Sequence, residues 1–212
     1  MIGNRQEVLD GALGPKDYIV LPPIADSWRV LEIGPGRYPW ERADVYLDHD
    51  PLMLASLNGL GKETICANLE EGLHKIPGGA FDFCFISHVL EHCENIQRCI
   101  DTLNRISKAG MAVMPSFAKE ALFFFEETDH KWWVLPNPRN PHKPCVFVRI
   151  NEIFAERLRQ PDLQRAMCYL FRTGHHCSQE RELMDWFKEN ERDLDVVVEW
   201  GPNKPLSILI CQ

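Results

Sequence analysis

Between residues 28 and 115, short apolar runs alternate with mixed polar stretches. The runs cover residues 28–33, 45–47, 64–67, 81–87 and 111–114. Continuous apolar runs this short fit strands covered on both faces, and the stretches between them leave room for helices or loops. The pattern therefore predicts βαβ units and a mainly parallel sheet. One connecting helix is well defined. Asn95 can cap it, and Ile96, Cys99, Ile100, Leu103 and Ile106 repeat at the three- and four-residue spacing of one apolar face. Arg98, Asp101 and Arg105 fall on the opposite, solvated face, and Gly110 is the expected stop. Near the C-terminus, runs at 195–200 and 206–210 flank Gly201-Pro-Asn-Lys-Pro205. Gly, Pro and Asn between two strand-like runs predict an antiparallel hairpin closing one sheet edge.

Residues 116–194 break this rhythm. Runs at 131–135 and 145–150 predict a second hairpin around the proline-rich stretch 136–144, and helices are expected at 152–159, 163–171 and 179–189. The block reads as an insertion over the ligand-binding edge of an α/β sheet. Phe123-Phe124-Phe125, with no basic residues beside it, reads as core and not as a membrane patch.

Composition narrows the partners. A chain of 212 residues suits one domain. A net charge of −8, with no cluster of five or more Lys and Arg, argues against a nucleic acid or anionic membrane partner. No apolar run approaches the roughly 20 residues of a bilayer span. The first residues lack the basic-then-apolar order of a secretory signal, so a cytoplasmic setting is expected. The eight cysteines are scattered without a CxxC pair, which disfavours a zinc ribbon; they are read as reduced.

The chemistry centres on Val30-Leu-Glu-Ile-Gly-Pro-Gly36, a strand running into a glycine turn. Glycines there allow positive φ and close backbone approach to a ligand. Asp48 ends the next strand, where a carboxylate can accept bonds from two ribose hydroxyls. The third glycine of a dinucleotide fingerprint is replaced by Pro39, and no GxxxxGK[ST] loop is present. Both absences count against NAD and ATP.

At this point the chain resembles the class I S-adenosylmethionine-dependent methyltransferases, within their broad small-molecule (type 11-like) group. Five segments carry the resemblance: Glu32-Ile-Gly-Pro-Gly36, Asp48, Asn68-Leu69, Phe81 to His92, and Leu103 to Gly110 with the strand after it. It implies a Rossmann-like, doubly wound α/β fold. The expected sheet is mostly parallel and seven-stranded, with a C-terminal antiparallel hairpin and an insertion after strand five. It also implies one methyltransferase domain: an N-terminal segment 1–27, a cofactor-binding core 28–115, a substrate cap 116–194 and the hairpin 195–212. The implied cofactor is S-adenosylmethionine, facing Glu32, Gly34, Pro35, Gly36, Asp48, Asn68, Leu69, Ser87 and His88. Two departures stand out. Asn68 replaces the more usual Asp at the adenine contact. Only eight residues separate Gly36 from Val45, too few for the usual first helix, so at most one turn at 40–43 is expected. Arg37 is then the candidate partner for the methionine carboxylate.

His88-Val-Leu-Glu-His92 also spells H-x-x-E-H, an inverted zinc-protease motif. It begins at a sheet strand and has no evident third ligand. Structural use of Glu91 and His92 therefore ranks first, a bound metal second and a zinc hydrolase a distant third, and no metal site is expected. His130, followed by Lys131-Trp132-Trp133, could line a substrate pocket or pack in the core. His175-His176-Cys177 reads as a polar loop. The base-modifying signature [DN]PP[YF] is replaced by Ser87-His88-Val89, and no Pro-Cys nucleophile appears. The expected reaction is methylation, at oxygen, of a small-molecule or glycan-type acceptor. His130 and His92 are the catalytic candidates, and His130 and Trp132 the substrate contacts. The alternative is a non-catalytic S-adenosylmethionine-binding protein of the same fold.

Overall fold

The computed structural model describes residues 19–36, 38–123, 129–151 and 194–211. The expected helices at 152–159, 163–171 and 179–189 lie outside them, as do Arg37, Phe124, Phe125 and His175-His176-Cys177. The strands in chain order are β1 (Val30–Ile33), β2 (Val45–Asp48), β3 (Glu63–Cys66), β4 (Phe81–Ser87), β5 (Ser107–Pro115), β6 (Trp132–Pro136), β7 (Cys145–Arg149), β8 (Asp195–Trp200) and β9 (Leu209–Cys211). The helices are α1 (Pro51–Ser56), α2 (Ile96–Ile106) and α3 (Phe117–Phe123).

Six strands form the main sheet in the order β3-β2-β1-β4-β5-β8. The first five are parallel, and β8 runs antiparallel along β5. Alternation along the central strands divides the core between the two faces. Leu31, Ile33, Leu47, Cys84 and Ile86 join one apolar cluster. Val30, Tyr46, Phe83, Phe85, Met111 and Val113 join the other. Helix α2 lays its apolar stripe on the first face, with Ile96, Cys99, Ile100, Leu103 and Ile106 all buried there. Its cap is the expected one: Asn95 Oδ1 accepts from Arg98 N at 3.1 Å. The α/β class and the mostly parallel sheet agree with the sequence reading. Among the described residues no helix is long and apolar enough to cross a membrane.

Two local expectations are corrected. Gly110 does not stop the helix. Helix α2 ends at Ile106, Ser107 passes directly into β5, and Gly110 lies inside that strand opposite Trp200. A Cβ at Gly110 would collide with the Trp200 ring and the Cys84 carbonyl oxygen. The glycine is there to let an indole lie across the strand.

The C-terminal hairpin is also different. The Gly201–Lys204 turn closes with reciprocal backbone bonds of 2.9 and 3.0 Å. Asn104 then captures both backbone groups of Leu206, accepting from its N at 2.8 Å and donating to its O at 2.9 Å. Leu206 and Ile208 sink into the core, so the chain leaves β8. Strand β9 instead runs parallel to β7 in a separate three-stranded sheet, β6-β7-β9. The expected hairpin of β6 and β7 forms, pairing Trp132 with Arg149 through Pro136 with Cys145.

Gly110→Ala is expected to destabilise the fold by about 2–3 kcal/mol through overpacking, read by urea denaturation. Combined with Trp200→Ala, its added cost should shrink, because the two positions share one contact. A Gly110→Ala protein as stable as wild type would restore the helix-stop assignment.

Candidate active site

A cavity of about 410 Å³ opens at the C-terminal ends of β1, β2 and β4. That size lies within the usual range for small-ligand sites. Strand β1 ends in Gly34 and Gly36, with φ of 66° and 59°. Gly34 N donates to Leu47 O at 2.9 Å, fixing the turn against the end of β2. A Cβ on Gly34 would run into Val89 Cγ2, whereas one on Gly36 meets nothing within 4 Å. Gly34 is thus required by space and conformation together, Gly36 by conformation alone.

Of the residues expected to face a cofactor, Gly34, Gly36, Asp48, Asn68, Leu69 and His88 line this cavity. Asp48 Oδ1 accepts from Asp50 N at 2.9 Å and lies 3.3 Å from His49 Nδ1. Asn68 caps the short 3-10 turn Leu69–Glu71, its Oδ1 accepting from Glu70 N at 2.9 Å. The carbonyl assigned to adenine therefore already has one partner.

Glu32, Pro35 and Ser87 are not among the lining residues. Glu32 is fully buried, and its Oε2 accepts from Trp40 N at 2.7 Å. This bond spans the short path from Gly36 to Val45. Among the described residues of that path no α-helix forms; the chain makes turns, with Ala43 N donating to Trp40 O at 3.0 Å. The Trp40 ring packs edge-on against Phe85 at 5.6 Å.

The zinc-hydrolase geometry is absent. His88 has a φ of 55°, and Leu90–His92 is a single 3-10 turn, so His88 and His92 do not share one α-helical face. His88 turns inward, its N donating to Val113 O at 2.9 Å. Its Nδ1 lies 3.5 Å from Glu91 Oε1 and its Nε2 3.8 Å from Asp195 Oδ2. Burial pushes the imidazole pKa down, but the carboxylates of Asp195 and Glu91 outweigh it and hold it at about 9. Burial alone would raise Glu91, and the nearby imidazoles, His88 foremost, bring it below the usual carboxylate value.

The structure brings His92 and His130 together, with ring centroids 4.3 Å apart and planes at 85°. Two bonds place the start of β6 there. Lys131 N donates to Glu91 O at 2.7 Å, and Trp132 Nε1 donates to Cys93 O at 2.6 Å. His92 lines the cavity and pairs through Nδ1 with Asp129 Oδ1 at 2.7 Å. His130 lies behind it, its Nδ1 bonded to the Glu120 carboxylate. Trp132, expected at a substrate, is buried in the core with Phe147 and Arg149 against its ring.

Sequence reasoning missed three further buried residues. Lys119 Nζ lies 2.8 Å from Asp195 Oδ1, both almost fully buried, and Glu120 holds His130. The sequence signal for Lys119 and Glu120 is a charged pair inside an otherwise apolar segment, Phe117 to Phe123; Asp195 is marked only as the first residue of the run at 195–200. An ion pair this deep is destabilising to break, since either partner alone would be an uncompensated charge.

Residues 38–114 match the family model described as a methyltransferase domain. The match begins just past the glycine turn. Among curated proteins no sequence matches the chain. Solved structures with a similar core include the carbon methyltransferase CurJ, at 13% identity, 45% of this chain, 31% of that one and a TM-score of 0.38. A possible histamine N-methyltransferase from Thermotoga maritima aligns at 17% identity over 54% of each chain, with a TM-score of 0.39. An S-adenosylmethionine-dependent methyltransferase from Mesorhizobium loti aligns at 16% identity over 84% of this chain and 92% of its own, with a TM-score of 0.45. The chain thus spans about a third and about half of the length of the first two. Likeness this distant carries no argument about acceptor or mechanism.

The two glycines give a paired prediction. Gly36→Ala should cost about 1 kcal/mol from backbone strain alone. Gly34→Ala should cost about 2–3 kcal/mol, because the Val89 clash adds to that strain. Adding Val89→Ala should recover part of the second loss and none of the first, as read from denaturation midpoints. Equal costs for the two glycine variants would refute the packing role of Gly34.

Proposed function

We propose that the chain, whose residues 38–114 match a methyltransferase domain model, is a class I S-adenosylmethionine-dependent methyltransferase that methylates a hydroxyl of a small-molecule or glycan-type acceptor. The observation carrying this reading is the make-up of one cavity. A glycine turn and a strand-end acid form one side, and a histidine held by a carboxylate forms the other.

The residues present suit such a cofactor. In this reading Gly34 and Gly36 let the backbone approach it closely, and Asp48, lining the same cavity, accepts from ribose hydroxyls. Asn68 and Leu69, which also line the cavity, meet the adenine in this reading. Glu32 and Pro35 shape the turn from behind, and Ser87 and His88 close the strand-end floor. When bound, the cofactor supplies a methyl group on a sulfonium, displaced in line by the acceptor oxygen. The protein's part is to align the acceptor, exclude water and lower the cost of removing the hydroxyl proton. In this reading His92, which lines the cavity, serves the acceptor, and the His130 ring packs against it. Trp132 contributes by anchoring the start of β6, through its bond to Cys93 O.

Calorimetry with S-adenosylmethionine should show binding that Asp48→Ala weakens by about 10- to 100-fold, the loss of charge-assisted bonds worth about 1.5–3 kcal/mol. His92→Ala should keep cofactor affinity while lowering methyl transfer by about 100-fold or more. Transfer is read as labelled methyl entering a pool of hydroxyl-bearing metabolites and glycans. The proposal fails if millimolar S-adenosylmethionine does not bind, or if Asp48→Ala binds it like wild type.

A further inference from the structure

We propose that Glu91, His92 and His130 bind a divalent transition-metal cation at the acceptor end of the cavity. Its role in catalysis rests on the methyl-transfer reading above; its existence does not. Of the H-x-x-E-H residues, His88 turns toward Asp195, and the fold brings His130 from a distant segment to Glu91 and His92.

The first argument is proximity. One ligand atom from each of the three residues lies within 4.8 Å of the others. Metal–ligand distances of about 2.0–2.2 Å place donor atoms at most about 4.4 Å apart. Three donors sharing one ion come within about 3.8 Å of one another, so side-chain movements of up to about 1 Å close the set. The set of one carboxylate and two imidazoles suits zinc and related transition ions better than magnesium or calcium, which prefer all-oxygen cages.

The second argument is an unmet requirement. Glu91 is fully buried, and neither of its carboxylate oxygens has a hydrogen-bond partner among the described residues. The His88 imidazole stands 3.5 Å away, too far for a good bond. The His88 cation offsets the Glu91 charge without a well-formed bond to either oxygen, and a buried carboxylate so poorly bonded is costly. A cation bound by Glu91 would offset that cost.

The third argument is the support behind each imidazole. His92 Nδ1 is held by Asp129, and His130 Nδ1 by Glu120. A carboxylate on one ring nitrogen fixes the tautomer and orientation with which the other nitrogen takes a metal. Two such pairs converging on one buried carboxylate are more than ordinary core packing requires. The flanking charges are Asp195 and Lys119 on the His88 side, already paired with each other.

Three protein ligands leave a position open toward the cavity that His92 and Asp129 line. An acceptor hydroxyl bound there would lose its proton to water more readily, because the cation stabilises the alkoxide. The oxygen lone pair then forms the new O–CH3 bond as the C–S bond breaks, and that electron pair stays on sulfur. With His92 serving as a ligand, no imidazole needs to act as the proton acceptor.

The test uses the full chain stripped with chelator and titrated with Co2+, followed by its visible ligand-field absorption, with Zn2+ as competitor. The expected result is one equivalent bound and displaced by Zn2+. His130→Ala should weaken uptake by at least 10-fold, and so should Glu91→Gln. Since a change at buried Glu91 can unfold the chain, Asp129→Asn at an exposed position provides the second arm, with an expected 10- to 100-fold weakening. Circular dichroism and S-adenosylhomocysteine affinity are measured on every variant. No Co2+ uptake by folded protein that still binds S-adenosylhomocysteine overturns the metal site and leaves methyl transfer standing. Uptake unchanged in both His130→Ala and Asp129→Asn overturns it as well. Co2+ uptake lost in these variants supports the site even if S-adenosylhomocysteine does not bind, and only the methyl-transfer reading then falls.

Discussion

A carboxylate in the middle of a parallel sheet can be kept only if something donates to it. Glu32 lies in β1 between β2 and β4, shut off from water, and the Trp40 amide is a donor at 2.7 Å. A bond to an ionised group in such surroundings is among the stronger single interactions a fold makes. Here it does the work that a helix does in longer βα units, since it returns the chain from the glycine turn to the start of β2. Tyr46 Oη adds a bond to Trp40 O at 3.1 Å, and Asp44 accepts from Val30 N at 2.8 Å. With that path pinned, Gly34 and Asp48 stand on the same wall of one cavity.

The opposite wall is organised by buried charge as well, with a different balance. Asp195, at the start of β8, is neutralised by Lys119 from α3, and His88 lies between Asp195 and Glu91. Edge strand β8, helix α3 and the turn after β4 are thereby bound to one another through side chains. Apolar contact could have joined them more cheaply. Buried charged groups gathered behind a cavity lining, here behind His88, are common at functional sites.

Much of the core could be read from the order of residues. Phe81–Ser87 and Ile96–Ile106 form as the apolar patterns require, because burial on both sheet faces and one helical stripe are local signals. Asp48 and the glycine turn could be read for the same reason. Gly110 misled because a glycine after a helix and a glycine under an indole look alike until Trp200 is placed. The terminal hairpin misled because its turn is real, while Asn104, remote in sequence, redirects the chain beyond that turn. The meeting of His130 with Glu91 and His92 had no local signal. It depends on Lys131 and Trp132 bonding to the backbone of the turn after β4.

The parallel pairing of β7 with β9 has a consequence for how the molecule is made. Val146 and Leu209 are partners across a long stretch of intervening chain. Closing such a loop costs entropy before any contact repays it, and pairings of this range slow folding. The β6–β7 unit that presents His130 is thus anchored on its far side by one of the most sequence-distant pairings in the described structure. The glycine-turn side rests on a comparable closure, since β1 pairs with β4 between Leu31 and Cys84. Both sides of the cavity therefore wait on contacts between segments made far apart in time, and neither is finished while the chain is still short.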